Sequence, residues 1–384
     1  MLAEIAVDLG AIVRNAQALA ALVAPARLTA VVKADAYGHG LVPVARALAP
    51  YAARLCVYAL EEALALRDAG ITAPIHVMGP VRAADLATAL AAGVQLTLWD
   101  RDRYAREVAG IARRSGRRVA LHAKIDTGVI RLGLDVAEAP AALAHYAATP
   151  EYDLIGAFTH LAAAEEIDST FTLEQLARFV SATQALDARV ERHVAATAAA
   201  ILWPETRLDA VRCGIGLYGI WPSEQSEALM RARGLALEPA LCWRTRIVAL
   251  HDVEPDATVG YGRTWRASRS SRIATLPIGY AEGLPRSAGN SAQALVRGAR
   301  VPVAGRICMD MAFLDVTGVR DVAVGDAVTL IGRDGDEQIT ADDLGQACGT
   351  IGYEIVARLP AHVPRTYAPA VNAASASPRS SVPS

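Results

Sequence analysis

Eight short apolar runs, each parted from the next by an alanine-rich stretch of helical period, limit the fold of this chain more than any other feature. They occupy residues 28–34, 55–60, 75–79, 95–99, 119–125, 154–160, 194–197 and 211–215. Strands alternating with helices make parallel sheets, and eight such units close on themselves as a (β/α)8 barrel. Residues 9–24 read as an amphipathic helix leading into the first run. Past residue 235 the texture changes. Runs at 241–250, 258–261, 272–278, 294–296, 307–316 and 327–331 are rich in Val, Ile and Thr and are broken by Gly, Pro and Asp, without intervening helices. One helical patch follows at 342–359. The expected fold is α/β: an N-terminal (β/α)8 TIM-type barrel over 1–235, its extreme N-terminus free to pair with the second unit, then a mainly-β C-terminal domain over 236–367. Residues 368–384, rich in Ala, Ser and Pro, read as a disordered tail.

With 384 residues, 53% of them hydrophobic, two cores are easily filled. A formal net charge of -2 argues against a general nucleic-acid binder or a membrane-surface protein. There is no basic-then-apolar leader and no apolar run long enough to span a bilayer, so a cytoplasmic protein is expected. Cys56, Cys213, Cys242, Cys308 and Cys348 are scattered without a CxxC pair, which reads as reduced thiols. No His/Asp/Glu cluster has metal-ligand spacing, so no catalytic metal is expected. No Gly-x-Ser-x-Gly elbow supports a hydrolase.

The first run ends in Lys33, followed by a glycine-rich turn. Ligands bind at the carboxyl ends of barrel strands. A lysine held there loses solvation, its pKa falls, and its amine can form a Schiff base. The plainer alternative is a strand-end lysine that reaches solvent. Phosphate sites in such barrels are built by the loops after strands seven and eight. Here these hold Ala196-Thr197-Ala198 and Arg212-Cys213-Gly214-Ile215-Gly216-Leu217-Tyr218-Gly219. A lysine and a phosphate cradle at one barrel mouth suggest pyridoxal 5′-phosphate (PLP). An ordinary glycine turn closing the barrel is the alternative. The Gly-x-Gly-x-x-Gly spacing of Gly214, Gly216 and Gly219 is a weak dinucleotide signal, because no βαβ unit follows it.

From Glu4 to Tyr367 the chain resembles the alanine racemases. The likeness rests on Val31-Val32-Lys33-Ala34-Asp35-Ala36-Tyr37-Gly38-His39-Gly40, on Lys124-Ile125-Asp126-Thr127-Gly128 with Arg131-Leu132-Gly133, and on Thr159-His160-Leu161 and Val211-Arg212. In the second domain it rests on Gly260-Tyr261-Gly262, Pro277-Ile278-Gly279-Tyr280-Ala281-Glu282-Gly283, Gly305-Arg306-Ile307-Cys308-Met309-Asp310 and Gly352-Tyr353-Glu354. The family usually has Asn where this chain has Asp35, and Asn-Ser where it has Ala196-Thr197.

The resemblance implies a PLP enzyme that interconverts L- and D-alanine and supplies D-alanine for peptidoglycan. A catabolic role, or a broader range of small amino acids, is the alternative. It implies a homodimer with shared sites. Lys33 would hold PLP and act as one base, and Tyr261 of the partner subunit would act as the other. Racemisation needs bases on both faces of a planar intermediate. His160 and Arg212 would stabilise the tyrosine's phenolate. Arg212 would also face the pyridine nitrogen and, being always protonated, keep that nitrogen neutral and suppress transamination. Tyr37, Thr197, Gly214, Ile215 and Tyr353 would hold the phosphate. Arg131 would bind the substrate carboxylate, Met309 would line the pocket and Tyr280 would close its entry, the last two in trans. Lys124 is carbamylated in many members. His39 and His122 read as structural, the second facing the helix layer. A PLP decarboxylase of similar build would instead use a glutamate at the pyridine nitrogen and a cysteine–aspartate motif in the β domain. A non-catalytic PLP carrier would lack the β domain.

Overall fold

The structure, a computed structural model, describes residues 2–369. Eight parallel strands form one sheet in chain order: Arg27–Val31, Arg54–Val57, Ile75–Val77, Gln95–Leu98, Val119–Asp126, Tyr152–Phe158, Glu191–His193 and Ala210–Cys213. The eighth pairs with the first, and the Arg212 N–H donates to the Ala195 carbonyl at 2.9 Å, joining the eighth to the segment just past the seventh. The expected barrel is present. Helix Leu9–Val23 precedes it. Asp8 caps this helix by accepting the Ala11 N–H at 2.9 Å, and Ile12, Ala16, Leu19 and Val23 are buried along one face.

Two of the departures from the expected strand bounds bear on the site. The first stops at Val31, so Lys33 lies just beyond it. The seventh is Glu191–His193, not the apolar run 194–197. Its charged residues escape a hydrophobic reading because they are buried against partners inside the barrel: Glu191 pairs with Arg54 at 2.6 Å and with Arg27, and His193 meets Arg212. His122 corrects a second expectation. It lies in the barrel interior, not against the helices. Its ring stacks on His76 at 4.0 Å, and Gly156 on the neighbouring strand makes room for it: a Cβ there would stand 2.1 Å from its Nδ1.

The β domain is built on a sheet of Ala299–Pro302, Gln293–Val296, Ala327–Asp334, Leu241–Arg246, Glu4–Asp8 and Arg365–Ala368, with Glu337–Ile339 on one flank. The N-terminal strand thus sits between two strands of the second domain, antiparallel to Leu241–Arg246 and parallel to Arg365–Ala368. The run 241–250 is two strands in different sheets, since Ala249–Val253 pairs with Ser271–Leu276. Only Ala312–Asp315 of the run 307–316 is a strand. The helical patch is two helices, Ala341–Cys348 and Gly352–Ala357, parted by Gly349 at φ +73°. Ala368 closes the last strand rather than opening a tail, and residues 370–384 lie outside those described. One buried apolar cluster runs through both domains. No helix among the described residues is long and apolar enough to cross a membrane.

Candidate active site

Lys33 begins a turn of unusual backbone. Ala34, Asp35, Ala36 and Tyr37 all have φ between +52° and +54°, a left-handed turn made without glycine. Glu62 holds its start, accepting the Ala34 N–H at 2.6 Å. Gly38 ends it against Val356, where a Cβ would meet the Val356 carbonyl oxygen at 1.9 Å. Burial lowers the Lys33 amine's pKa, and the nearby Arg131 and Arg212 cations lower it further. Among the described residues Lys33 has no ion-pair partner.

The turn carries Tyr37 to the loops after strands seven and eight. Thr197 opens the helix after strand seven, and its hydroxyl accepts the Gly214 N–H at 3.1 Å. A Cβ on Gly214 would stand 2.5 Å from the Tyr37 hydroxyl. The Tyr353 ring lies 6.5 Å from that of Tyr37. Ile215 starts a one-turn 3-10 helix, so its N–H is left over by the turn's own bonding. All five residues named for the phosphate therefore meet at one place. Burial pushes the Tyr37 phenol up to about 12 and Tyr353 higher still, so both stay neutral donors. The Tyr353 hydroxyl meets the Glu165 carboxylate at 3.3 Å.

Arg212 lies beneath this cradle, with only 4% of its surface exposed. It donates to the carbonyls of Thr159, His193 and Val194 at 2.7, 2.7 and 2.9 Å, and to the His193 Nδ1 at 2.9 Å. Its Nε makes no hydrogen bond among the described residues. Burial lowers its pKa to about 10, so it stays charged at neutral pH. Because His193 Nδ1 accepts, its Nε2 must donate, and it does so to His122 Nδ1 at 2.9 Å. His122 Nε2 then donates to Gln95 at 3.0 Å. Burial holds both rings neutral.

Lys124, His160 and Arg131 complete the cluster. All three line one cleft with Asp126 and Thr159. Burial, then the Arg131 and Arg212 charges, bring the Lys124 amine down to about 8. Burial and the same arginines push His160 to about 3, so it is neutral. Arg131 is placed by Asp126, whose carboxylate accepts the N–H groups of Gly128, Val129, Ile130 and Arg131 at 2.8–3.0 Å. Burial raises the pKa of that carboxyl, but the four donors outweigh it and hold the group charged.

Tyr261, Tyr280 and Met309 are elsewhere. Tyr261 is not on a strand but in a short turn after Gly260, and is 71% exposed. Tyr280 and Met309 are neighbours, since the Tyr280 N–H donates to Cys308 and the Ala281 N–H to Met309. The Gly262 Cα packs on the Arg306 side chain, which brings the Tyr261 turn to the same segment. None of the three joins the Lys33 cluster by a hydrogen bond or aromatic contact among the described residues.

Several residues of the site escaped the sequence reading. Asp126, which stands in the Lys124 motif with no role read for it, and Glu62 and His193, which no local pattern marks, all act through other groups. One signal was available. Of the 38 lysine and arginine residues only two, Lys33 and Lys124, are lysines, and both are here. Arginine cannot give up its proton. A chain that uses arginine at every other cationic position keeps lysine where a neutral amine can form.

The barrel residues 7–222 match the family model of the alanine racemase N-terminal domain, and residues 240–367 match that of its C-terminal domain. The chain is 37% identical over 369 residues to the alanine racemase of Clostridium perfringens, covering 94% of each chain. It is 40% identical over 379 residues to that of Desulfosudis oleivorans, covering 94% of this chain and 95% of the relative. The crystal structure of alanine racemase from Streptomyces lavendulae superposes with a TM-score of 0.89 at 33% identity, over 97% of this chain and 98% of that one. The Bacillus anthracis structure with bound L-Ala-P gives 0.87 at 34% identity, over 96% and 95%. Both domains and their order thus agree, and the chain belongs to the alanine racemase family of enzymes.

Proposed function

We propose that the protein interconverts L- and D-alanine with PLP held on Lys33, and that its D-alanine supplies peptidoglycan synthesis. The observation that carries this reading is that the chain's only two lysines share one barrel mouth, with their amines held below the ordinary range beside Arg131 and Arg212. The donor set fits the cofactor. The neutral Tyr37 and Thr197 hydroxyls and the Ile215 N–H suit a phosphate, to which the Tyr353 hydroxyl and the Gly214 N–H would turn from Glu165 and Thr197. The free Nε of Arg212 suits an uncharged pyridine nitrogen, because a guanidinium only donates. Bound there, PLP supplies an electron sink that makes the α-hydrogen of an attached amino acid acidic.

The chain's own groups then divide the work. Arg131, placed by Asp126, takes the substrate carboxylate. Lys33, whose amine burial and the nearby arginines hold below the ordinary lysine range, moves the α-proton on one face. The partner subunit's Tyr261 moves it on the other. Tyr261, Tyr280, Met309, Met311 and Ile351 leave apolar surface exposed on the β domain, which is the mark of a surface meant to be covered. Neutral His160 and charged Arg212 stabilise the incoming phenolate. Lys124, half neutral near pH 8, adds its free amine to dissolved carbon dioxide and gives one N–H proton to water, forming a carbamate whose negative charge suits the nearby Arg131 and Arg212. The partner's Met309 lines the pocket and the partner's Tyr280 closes its entry.

Mixed dimers test the shared site. Lys33→Ala and Tyr261→Phe variants are inactive alone. After subunit exchange, half the dimers are mixed and each has one intact site, so about a quarter of full activity returns. No return after verified exchange contradicts the arrangement in trans. Release of carbon dioxide in place of D-alanine would indicate a decarboxylase.

A further inference from the structure

The left-handed turn that carries Lys33 is expensive. Each non-glycine residue in this conformation costs about 1–2 kcal/mol, so four in succession persist only where the surroundings over-determine them. Inside the turn, the Gly38 N–H donates to the Ala34 carbonyl at 2.9 Å and the Gly40 N–H to the Asp35 carbonyl at 2.8 Å. The barrel adds Glu62. A further tie comes from the far end of the chain, from Arg365 on the last β-domain strand.

Arg365 is 6% exposed at its side chain, and four of its five donors make hydrogen bonds. Nε donates to the Gly38 carbonyl at 2.9 Å. Nη1 donates to Pro360 at 3.1 Å and Val363 at 3.0 Å. Nη2 donates to Leu359 at 3.0 Å and stands 3.6 Å from the Asp35 carboxylate. Three carbonyls of its own segment thus fix the guanidinium, which then grips the lysine turn at two points. Asp35 is matched to this. Its Oδ1 accepts the Leu41 N–H at 2.7 Å, holding the start of helix Leu41–Leu48, and its Oδ2 faces Arg365. An asparagine could supply the first contact, but its amide N–H₂ would then confront a cation. The Asp35 departure from the family pattern therefore adds an ion pair that Asn cannot make.

We propose that Asp35 and Arg365 are a positioning pair, through which the last strand of the β domain fixes the Lys33 turn and so the seat of the cofactor-bearing amine. The proposal rests on the reading of Lys33 as the PLP lysine. Neither residue touches the reacting atoms. Because the same strand pairs with Glu4–Asp8, which in turn pairs with Leu241–Arg246, the pair ties the turn to the sheet of the domain that bears Tyr261.

The test compares holoenzymes of the unaltered chain, Arg365→Lys, Asp35→Asn and, as a control for general loosening, Leu330→Ala in the β-domain core. Lysine keeps the charge but loses the fork that reaches Gly38. Asparagine keeps the Leu41 cap but loses the ion pair. The readout is the rate at which hydroxylamine strips the visible absorbance of the lysine-bound cofactor, at a temperature where circular dichroism shows every variant folded. Arg365→Lys is expected to speed release about tenfold and Asp35→Asn about threefold, with Leu330→Ala within twofold of the unaltered chain. Release within twofold in both Asp35→Asn and Arg365→Lys overturns the proposal, as does equal acceleration by Leu330→Ala. If Arg365→Lys does not fold, Asp35→Asn alone decides. A missing band in the unaltered holoenzyme overturns the cofactor reading itself, which is a separate result.

Discussion

The Lys124 amine offers a quantitative test of the site's electrostatics. An ordinary lysine titrates near 10.5, so at pH 7 about one molecule in 3,000 is neutral. With burial and two arginines bringing Lys124 to about 8, about one in ten is neutral, a gain of about 300-fold in free amine. The perturbation is pH, and the assay is cyanate labelling of the holoenzyme in degassed buffer, so that any carbamate reverses first. The chain simplifies it: apart from the α-amine, Lys33 and Lys124 are the only amines, and the cofactor covers Lys33. Peptide mass spectrometry then follows Lys124 alone. Limited access slows labelling at every pH but leaves the midpoint unmoved. The rate should rise tenfold per unit up to about pH 8 and then level off. Arg131→Gln removes a partly solvent-screened charge worth about 0.5–1 kcal/mol, which lowers the pH 7 rate about two- to fivefold. A rate still climbing tenfold per unit at pH 10 refutes the reasoning.

Two further outcomes follow from buried groups. Burial holds His39 down to about 4, while the unfolded chain takes up its proton near 6.5. Below pH 6.5 the unfolded state therefore binds more protons, and stability falls until about pH 4. His39→Gln should remove about 3 kcal/mol of this acid loss, read as the change in the stability difference between pH 7 and pH 4 by urea titration; an unchanged difference counts against it. Gly156→Ala places a methyl 2.1 Å from His122 Nδ1 and must break its bond to His193, which supports Arg212. It should cost about 2–4 kcal/mol and lower turnover in the same variant; full stability and full rate would show the histidine chain to be idle.

The fold was legible because its apolar runs were. Eight strands facing helices leave a hydrophobic trace, and only the seventh, Glu191–His193, lacked one, since its buried charges are paired inside the barrel. The β domain was less legible. Short strands such as Ala299–Pro302 and Glu337–Ile339 are set by their partners across the sheet rather than by local pattern, and Gly260 turned the expected strand tyrosine into an exposed turn. In the site, residues that touch ligands sat in recognisable local motifs. The bonds that hold those residues left no such mark: Asp126 stood in a motif, but not its grip on the backbone N–H groups up to Arg131; His193 reaches Arg212 from the neighbouring strand, and Arg365 meets Gly38 across 327 positions. Such pairings exist only once the chain is folded. The shortage of lysine is the exception, visible in the sequence and informative through the chemistry of arginine alone.

The central claim is that this chain moves the α-proton of alanine between two faces and does nothing else to the molecule. Purified protein supplied with PLP and L-alanine in deuterium oxide tests it, with chiral separation and mass analysis of the products. The account predicts D-alanine and L-alanine approaching equal amounts, deuterium at the α-carbon of the D-alanine formed, and no carbon dioxide or pyruvate. Cofactor bound to Lys33 with no D-alanine formed, or loss of the carboxylate as carbon dioxide, would contradict it.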